Sequence, residues 1–225
     1  ETLYPAVARA LGQGGSDDGE VEGLDPSVLS RRELFVNARF LRVLSVVLVS
    51  PLVITALFLH QGTLAERLDW SLGTVASGFI LFAAMQGLAA FAGGRLVDRF
   101  SARALLRFYL WPLGLGVLAL GLVPSGPAMW LMFAGLGLGA GINGVVAGAV
   151  WVELFGTAKL GMIRGVYAAL MVVSTAIGPV LLGFLFDAGV SLLAMGMALA
   201  IYVVVVPNLV AGRRLLARGP TRSAR

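Results

Sequence analysis

Long uncharged stretches dominate this chain, and their lengths predict its fold. They run from Val43 to Ala65, Trp70 to Gly94, Phe108 to Val152, Gly165 to Phe186 and Ala188 to Gly212. Because an α-helix rises about 1.5 Å per residue, about 20 apolar residues cross a hydrocarbon core. The third stretch is long enough for two crossings and carries a Pro-Ser-Gly-Pro turn signature near its middle. The pattern therefore predicts an all-α polytopic membrane protein with six crossings, at 41–62, 71–94, 104–123, 127–152, 163–186 and 190–212.

The basic residues predict how these crossings are oriented. When the chain is threaded six times, every Lys and Arg except Arg67 falls on one face of the membrane. Positive charge in short loops stays in the cytoplasm, so we expect both termini to be cytoplasmic. Five or seven crossings would place the arginines of the tail outside, which favours six.

Composition excludes several other classes of protein. Hydrophobic residues make up 58% and charged residues 13% of the chain, so the net charge of +5 reflects topology and not a nucleic-acid partner. The chain has no cysteine, which removes disulfides and thiolate chemistry. His60 lies near the edge of the first crossing, and no cluster of metal-ligating side chains lies within the crossings. We expect no enzyme activity, no metal and no cofactor.

The polar ends of the chain differ from the apolar middle. Residues 1–39 begin with a stretch rich in Gly and acidic residues, which predicts a flexible cytoplasmic linker. Ser30 and Glu33 have the spacing of a capping box and predict a short interfacial helix near 30–38. Residues 40–215 form the predicted bundle and 216–225 a cytoplasmic tail. The tryptophans lie near predicted crossing ends, where indole rings suit the headgroup level: Trp70, Trp111, Trp130 and Trp151.

One connection carries a recognisable motif. It reads Gly94-Arg95-Leu96-Val97-Asp98-Arg99-Phe100-Ser101-Ala102-Arg103. This resembles the G-x-L-x-D-R-x-G-R-R/K loop of the major facilitator superfamily of transporters, with Ser101 in place of a glycine and Ala102 in place of a basic residue. The matching positions are Gly94, Leu96, Asp98, Arg99 and Arg103. Such erosion is typical of the second copy of the motif, so the resemblance implies the carboxy-terminal half of a twelve-helix transporter.

Further stretches support that resemblance. Residues 153–165 resemble the superfamily's loop between the tenth and eleventh helices, and 178–189 resemble the end of its eleventh. Residues 55–61 look like a bacterial, monocarboxylate-porter-like group. The resemblance implies secondary transport of a small-molecule substrate by alternating access in the bacterial inner membrane, surrounded by lipid, with an amino-terminal six-helix half as partner. The alternative is a half-sized or non-transporting six-helix protein that dimerises and acts as a scaffold.

Charges at the predicted cytoplasmic ends of the crossings are candidate gate residues: Asp98, Arg99, Arg103, Glu153 and Arg164. Unpaired charge near the hydrocarbon is costly, so we expect these groups to pair. Glu153 and Arg164 flank one short loop and are expected to form an ion pair, while Asp98 is a candidate to face a helix N-terminus. Such contacts latch one side of a transporter, or they only anchor the topology.

Polar groups at membrane depth are candidates for a substrate cavity: Thr55, Gln86, Asn143, Tyr167 and Ser174. Tyr167 and Ser174 share one helix face by their spacing. Hydrogen bonding within or between helices is the structural alternative for all except Tyr167. His60 is a candidate for proton coupling, with simple hydrogen bonding as its alternative. The small or kinking residues predict close helix packing: Gly137, Gly141, Gly178 and Pro179.

Overall fold

The structure is a computed structural model that describes residues 31–210, and every statement below concerns that range. The described residues form ten α-helices and no β-strand. Their bounds are α1 Arg31–Val36, α2 Ala38–Val47, α3 Val49–Leu59, α4 Gln61–Leu68, α5 Leu72–Phe100, α6 Ala102–Leu105, α7 Trp111–Leu122, α8 Ser125–Phe155, α9 Leu160–Asp187 and α10 Leu192–Val210. The predicted all-α fold is confirmed.

Five helical segments are long and apolar enough to cross a membrane. They are Ala38–Leu59 (α2 and α3 together), Leu72–Phe100, Ser125–Phe155, Leu160–Asp187 and Leu192–Val210. Each coincides with one of the predicted crossings. Helix α1 lies where the sequence predicts a short helix, although Ser30 of its capping box falls outside the described residues. The predicted linker and tail also lie largely outside this range.

The third predicted crossing is divided. Helix α7 has 12 residues and spans about 18 Å, which is too short to cross alone. Pro112 lies in its first turn and has no N–H to donate to the carbonyl of Phe108, which accepts from the Trp111 N–H instead, at 3.0 Å. Residues 106–110 therefore run as turns between α6 and α7. The count of six crossings is therefore approximate: five segments of the described residues are long enough to cross, and the third predicted crossing is represented by a shorter helix.

The long helices pack in specific pairs. Helix α5 lies along α8, α3 lies along α9, and α7 contacts both α8 and α10. Glycines on these faces allow backbone-to-backbone approach, since an added Cβ atom would touch a carbonyl oxygen of the facing helix. These contacts join Gly137 to Phe82, Gly141 to Gln86 and Gly178 to Leu52. Helix α9 continues through Pro179, one residue after its closest approach to α3.

The first crossing has a junction near its middle, at Leu48, and side chains of other crossings form hydrogen bonds to the carbonyls near it. Pro51 lacks the N–H that would continue the helical ladder, and α2 passes into α3 at Leu48. Three hydroxyl groups donate to carbonyls beside this junction: Tyr109 to Val46 at 2.9 Å, Tyr202 to Ser45 at 2.7 Å and Ser174 to Leu48 at 3.0 Å. The α2–α3 junction therefore connects the first crossing to the third, fifth and sixth.

Trp151 differs from the other tryptophans. Its side chain is fully buried, whereas Trp111 and Trp130 are 40% and 41% exposed. The indole packs against Phe40 and Tyr167, with ring centroids 5.1 and 5.6 Å apart. Trp151 therefore packs inside the bundle and does not face outward, because α8 continues to Phe155 and carries this residue into the core around α2.

We expect Tyr109→Phe to lower the free energy of unfolding by about 1 kcal/mol. The change removes a buried hydrogen bond between crossings and leaves the Val46 carbonyl without that donor. Ser77→Ala is the control, because its exposed hydroxyl bonds only to Gly73 of its own helix. Thermal unfolding of the intact protein in detergent measures both, and equal midpoints for the two variants would contradict the linking role of Tyr109.

We expect Gly141→Ala to destabilise the protein although alanine is the better helix former. The methyl group would collide with the α5 backbone at Gln86, and overpacking of this kind costs about 1–3 kcal/mol. Gly144→Ala, three residues along the same helix, meets open space and gains helix propensity of about 1 kcal/mol. A lower unfolding midpoint for Gly144→Ala than for Gly141→Ala would refute this packing.

Candidate functional site

The candidate gate residues lie at one end of the bundle, where α5 ends, α6 begins, α8 ends and α9 begins. We call this the charged end. The Glu153 carboxylate accepts the backbone N–H groups of Ala102 at 2.6 Å and Arg103 at 3.2 Å. It also pairs with the Arg103 Nε at 3.4 Å. One carboxylate therefore caps the first turn of α6 and holds it against α8, since unsatisfied N–H groups and a cation both favour negative charge there.

The expected pair between Glu153 and Arg164 is not formed. Arg164 donates from Nη2 to the carbonyl oxygen of Gly148, at 3.0 Å, one turn before Glu153 in the same helix. Gly148 has no side chain to shield that carbonyl. Glu153 is turned instead toward the start of α6, where three donors converge on it. The predicted pair is wrong because the Glu153 carboxylate binds the N–H groups of Ala102 and Arg103 and the Arg103 side chain, and not Arg164 across the loop.

Asp98 and Arg99 lie on the exposed side of the last turn of α5. Within residues 31–210, Asp98 forms no hydrogen bond or ion pair, and the helix N-terminus predicted for it is occupied by Glu153. The Arg99 guanidinium lies over the ring of Phe100, 5.3 Å from its centroid. Gly94 has open space around it, and Leu96 is 38% exposed. The structure thus brings together Arg103 and Glu153, and leaves Asp98 and Arg99 facing outward.

Ser101 explains why the loop motif has a glycine at this position. Its backbone has φ +74° and ψ +149°, a region that is costly for any residue with a side chain. It ends α5 and begins α6, and its Oγ accepts the Ala104 N–H at 3.4 Å. The cap partly compensates for the strain that serine introduces.

A cleft of about 440 Å³ lies between α3, α8 and α9. It is lined by Ser50, Pro51, Ile54 and Thr55 of α3, by Ala140, Asn143, Gly144, Ala147, Gly148 and Trp151 of α8, and by Arg164, Tyr167 and Met171 of α9. It extends from the middle of these helices toward the charged end. The open space beside Gly144 and Gly148 belongs to this cleft, so these two glycines do not serve the close packing that their spacing suggests.

Three of the predicted cavity residues line the cleft: Thr55, Asn143 and Tyr167. Ser174 does not, because its hydroxyl bonds to Leu48 of the α2–α3 junction. Gln86 does not either. Its side chain is exposed on α5 and forms no hydrogen bond within the described residues.

Sequence reasoning missed Ser50 and Trp151 as cleft residues and assigned Arg164 to the gate alone. Helical periodicity could have identified Trp151, since Asn143, Ala147 and Trp151 are four residues apart and share one face of α8. The buried polar atoms Ser50 Oγ, Asn143 Oδ1 and Trp151 Nε1 have no hydrogen-bond partner among the described residues. The Tyr167 hydroxyl lies beside the Asn143 amide. Such unsatisfied groups are rare in proteins, and three of them belong to residues that line this cleft.

His60 is held by local contacts. Its Nδ1 lies 3.0 Å from the Ala56 carbonyl oxygen, so this nitrogen carries the proton and donates. The ring meets the edge of Phe186 at 5.6 Å, and the Arg67 guanidinium lies 4.4 Å from the centroid of the same ring. This cluster lies at the end of the bundle opposite the charged end. His60 therefore does not join the cleft.

The chain belongs to the major facilitator superfamily, whose family model matches residues 36–224. This superfamily consists of transporters and not of enzymes, and its members move small solutes across membranes. The protein is accordingly an integral membrane protein of the transmembrane transport class. Searches of curated proteins and of solved structures found no match.

We expect Ser101→Gly to raise the free energy of unfolding by about 1 kcal/mol. Glycine removes strain of about 1–3 kcal/mol and loses only a few tenths from the missing cap. Ser101→Ala is the matched comparison, since it keeps the strain and loses the cap, and should be less stable than the natural protein. Thermal unfolding of the three proteins measures this order, and a destabilised glycine variant would contradict it.

Proposed function

We propose that this chain is the carboxy-terminal half of a secondary active transporter that moves a small solute by alternating access. The observation that supports this best is the cleft between α3, α8 and α9, which Thr55, Asn143 and Tyr167 line at membrane depth. Solute sites of rocking-bundle transporters lie near the midplane between helices. In this proposal α3, α8 and α9 contribute one wall, and a second bundle supplies the other.

The exposed face of α5 supports a second bundle. Gln86 lies at the middle of this 29-residue helix, where an amide facing lipid would lack any hydrogen-bond partner. Asp98 is exposed on the same helix. A protein surface with polar groups satisfies both residues better than lipid does. We assign this surface to an amino-terminal six-helix half that residues 1–39 would connect, and Gln86 then adjoins the shared cavity.

Orientation follows the positive-inside rule. The charged end carries the basic residues of the described connections except Arg67, so we assign it and both termini to the cytoplasm. The membrane is the bacterial inner membrane in this proposal. Assignment to the monocarboxylate-porter-like group rests on the resemblance of residues 55–61 alone.

The charged end is the proposed cytoplasmic gate. Glu153 and Arg103 keep α6 attached to α8, so this corner moves as one piece. Asp98 and Arg99 extend from it and are available to the opposing bundle. Pairing across the bundles closes the gate, and rocking separates the partners. Proton coupling through His60 would use its Nε2, because its Nδ1 already donates to the Ala56 carbonyl.

The coding sequence upstream of residue 1 tests the half-transporter proposal. Six further apolar crossings with a fuller copy of the loop motif would support it. A start codon directly before residue 1 would favour the half-sized protein instead, in which a second copy of this chain would cover Gln86 and Asp98.

We expect Asp98→Asn to lower the initial rate of solute flux about tenfold while membrane insertion is unchanged. The change removes a charge-assisted contact across the gate, and such contacts contribute about 1.5–3 kcal/mol. Asp187→Asn is the control, because this exposed carboxylate ends α9 on the side of the bundle opposite the charged end. Uptake into proteoliposomes measures both variants, and equal rates for Asp98→Asn and the natural protein would remove the gate role.

A further inference from the structure

We propose that a crevice between α9 and α10 binds one acyl chain of a membrane phospholipid, and that the phosphate of this lipid lies beside Arg67. The crevice has a volume of about 280 Å³ and is separate from the cleft described above. Its walls include Leu181 and Leu185 of α9 and Ala198 and Leu199 of α10, and its floor includes Leu57 of α3 and Val117 of α7. The inference does not depend on the proposed transport function.

The crevice forms because α9 and α10 pack on different neighbours. Helix α9 lies along α3 and α10 lies along α7, whereas α9 and α10 do not pack along each other. Leu57 and Val117 at the floor are buried. Leu181 and Ala198 at the rim are exposed, and both lie within membrane-spanning helices. The crevice therefore opens sideways toward lipid and not toward water.

The lining favours a hydrocarbon chain as the occupant. No charged residue lines the crevice, and the Tyr202 hydroxyl at its inner end already donates to the Ser45 carbonyl at 2.7 Å. A polar solute would lose its hydrogen bonds to water here without replacement. An acyl chain loses none, and it is the molecule that surrounds both helices in a bilayer.

Depth assigns the chain to one leaflet. The crevice extends from Gly178 to Leu185 on α9 and from Met195 to Tyr202 on α10, which is about 10 Å along each helix. Both segments lie in the half of their helices that is farther from the charged end. One leaflet contributes about 15 Å of hydrocarbon. A single chain of that leaflet therefore runs along the crevice, with its headgroup at the level of the turn between α9 and α10.

Arg67 supplies the polar contact at this level. Its guanidinium lies 4.4 Å from the centroid of the Phe186 ring, one residue beyond the wall of the crevice, and its Nη2 is 3.5 Å from the Phe186 carbonyl oxygen. Arg67 is exposed and is the one basic residue of the described chain at this end, so its remaining N–H groups can donate to a phosphate. Glu66, Asp69 and Asp187 are exposed at the same end. A zwitterionic headgroup therefore fits better than an anionic one.

The first test maps lipid contacts on the intact natural protein in nanodiscs of phosphatidylcholine. A trace of the same lipid carries a photoreactive diazirine in the middle of one acyl chain, and peptide mass spectrometry locates the adducts. Brief detergent extraction before irradiation removes exchanging lipid. We expect adducts on Leu181, Leu185 and Ala198 to survive this step, and adducts on Phe184 and Ile201 to be lost, because these two residues face outward from the same helices.

Two results of this map would overturn the proposal. One is equal loss of adducts at the crevice and at the outward positions. The other is the absence of adducts in the crevice, and a dimer in native mass spectrometry would then identify a second copy of this chain as its occupant.

A filled crevice gives the matched comparison. Ala198→Trp places a large side chain in the crevice, whereas Ile201→Trp places it on the outward side of the same helix. The proteins are delipidated in a steroid-based detergent, which has no linear chain, and phosphatidylcholine is added back. Because a ligand of the folded state raises the unfolding midpoint, we expect a rise in the natural protein and in Ile201→Trp, and the loss of most of it in Ala198→Trp. Equal rises in both variants would refute the site, and the adduct map decides if Ala198→Trp does not fold.

Arg67→Gln tests the headgroup contact in the same assay. Diacylglycerol with the same chains has no phosphate, so phosphatidylcholine should stabilise the natural protein more than diacylglycerol does, and more than phosphatidylglycerol does. Arg67→Gln should remove the difference between phosphatidylcholine and diacylglycerol. Arg95→Gln is the control, because this cation lies over Phe91 at the charged end. An unchanged difference in Arg67→Gln, or stronger stabilisation by phosphatidylglycerol, would overturn the assigned headgroup.

Discussion

Hydrogen bonding inside hydrocarbon is the constraint on which this structure depends. Lipid offers no partner to a free carbonyl, so a helix broken within the membrane must be completed by its neighbours. Pro51 has no N–H to donate to the Val47 carbonyl near the Leu48 junction of the first crossing, and three hydroxyls from other crossings donate to the neighbouring carbonyls of Ser45, Val46 and Leu48. The interruption therefore becomes the point at which four crossings are joined.

The cleft begins directly beside the same junction. Ser50, Pro51, Ile54 and Thr55 follow directly after the junction and line the cleft. The closest backbone approach of α9 to α3 is at Gly178, which faces the Leu52 carbonyl, and the residues of α9 that line the cleft come before it in the helix. At the junction every hydroxyl named above has its acceptor, whereas the buried atoms Ser50 Oγ, Asn143 Oδ1 and Trp151 Nε1 have no partner among the described residues.

Much of the fold was predictable because crossing length is a local property. A stretch of uncharged residues either spans hydrocarbon or does not, and five crossings appear where the sequence predicts them. The division of the third crossing was less accessible, although Pro112 marks it. Pairing was not predictable, because Glu153 chooses between Arg164 across a short loop and the start of α6, 50 residues away in sequence. Only the packed bundle places those donors together.

The candidate site was also predictable only where it depends on local properties of the sequence. Thr55, Asn143 and Tyr167 were found by asking which polar groups lie at membrane depth, and they do line the cleft. Ser174 satisfied the same criterion but is used by the junction. Trp151 failed it, since an indole near a helix end resembles an interfacial anchor. Its burial depends on Phe40 and Tyr167, which are distant along the chain.

The account's central claim is that the polar groups of α3, α8 and α9 face a water-filled cleft and not lipid. Residues 1–225 contain no cysteine, so single cysteines are readily introduced into a cysteine-free background of the intact protein. Thr55→Cys and Ala147→Cys should react with a charged methanethiosulfonate reagent in membranes, whereas Ile201→Cys, 61% exposed on α10, should be protected by lipid. Protection at Thr55 and Ala147 together with reaction at Ile201 would contradict the claim.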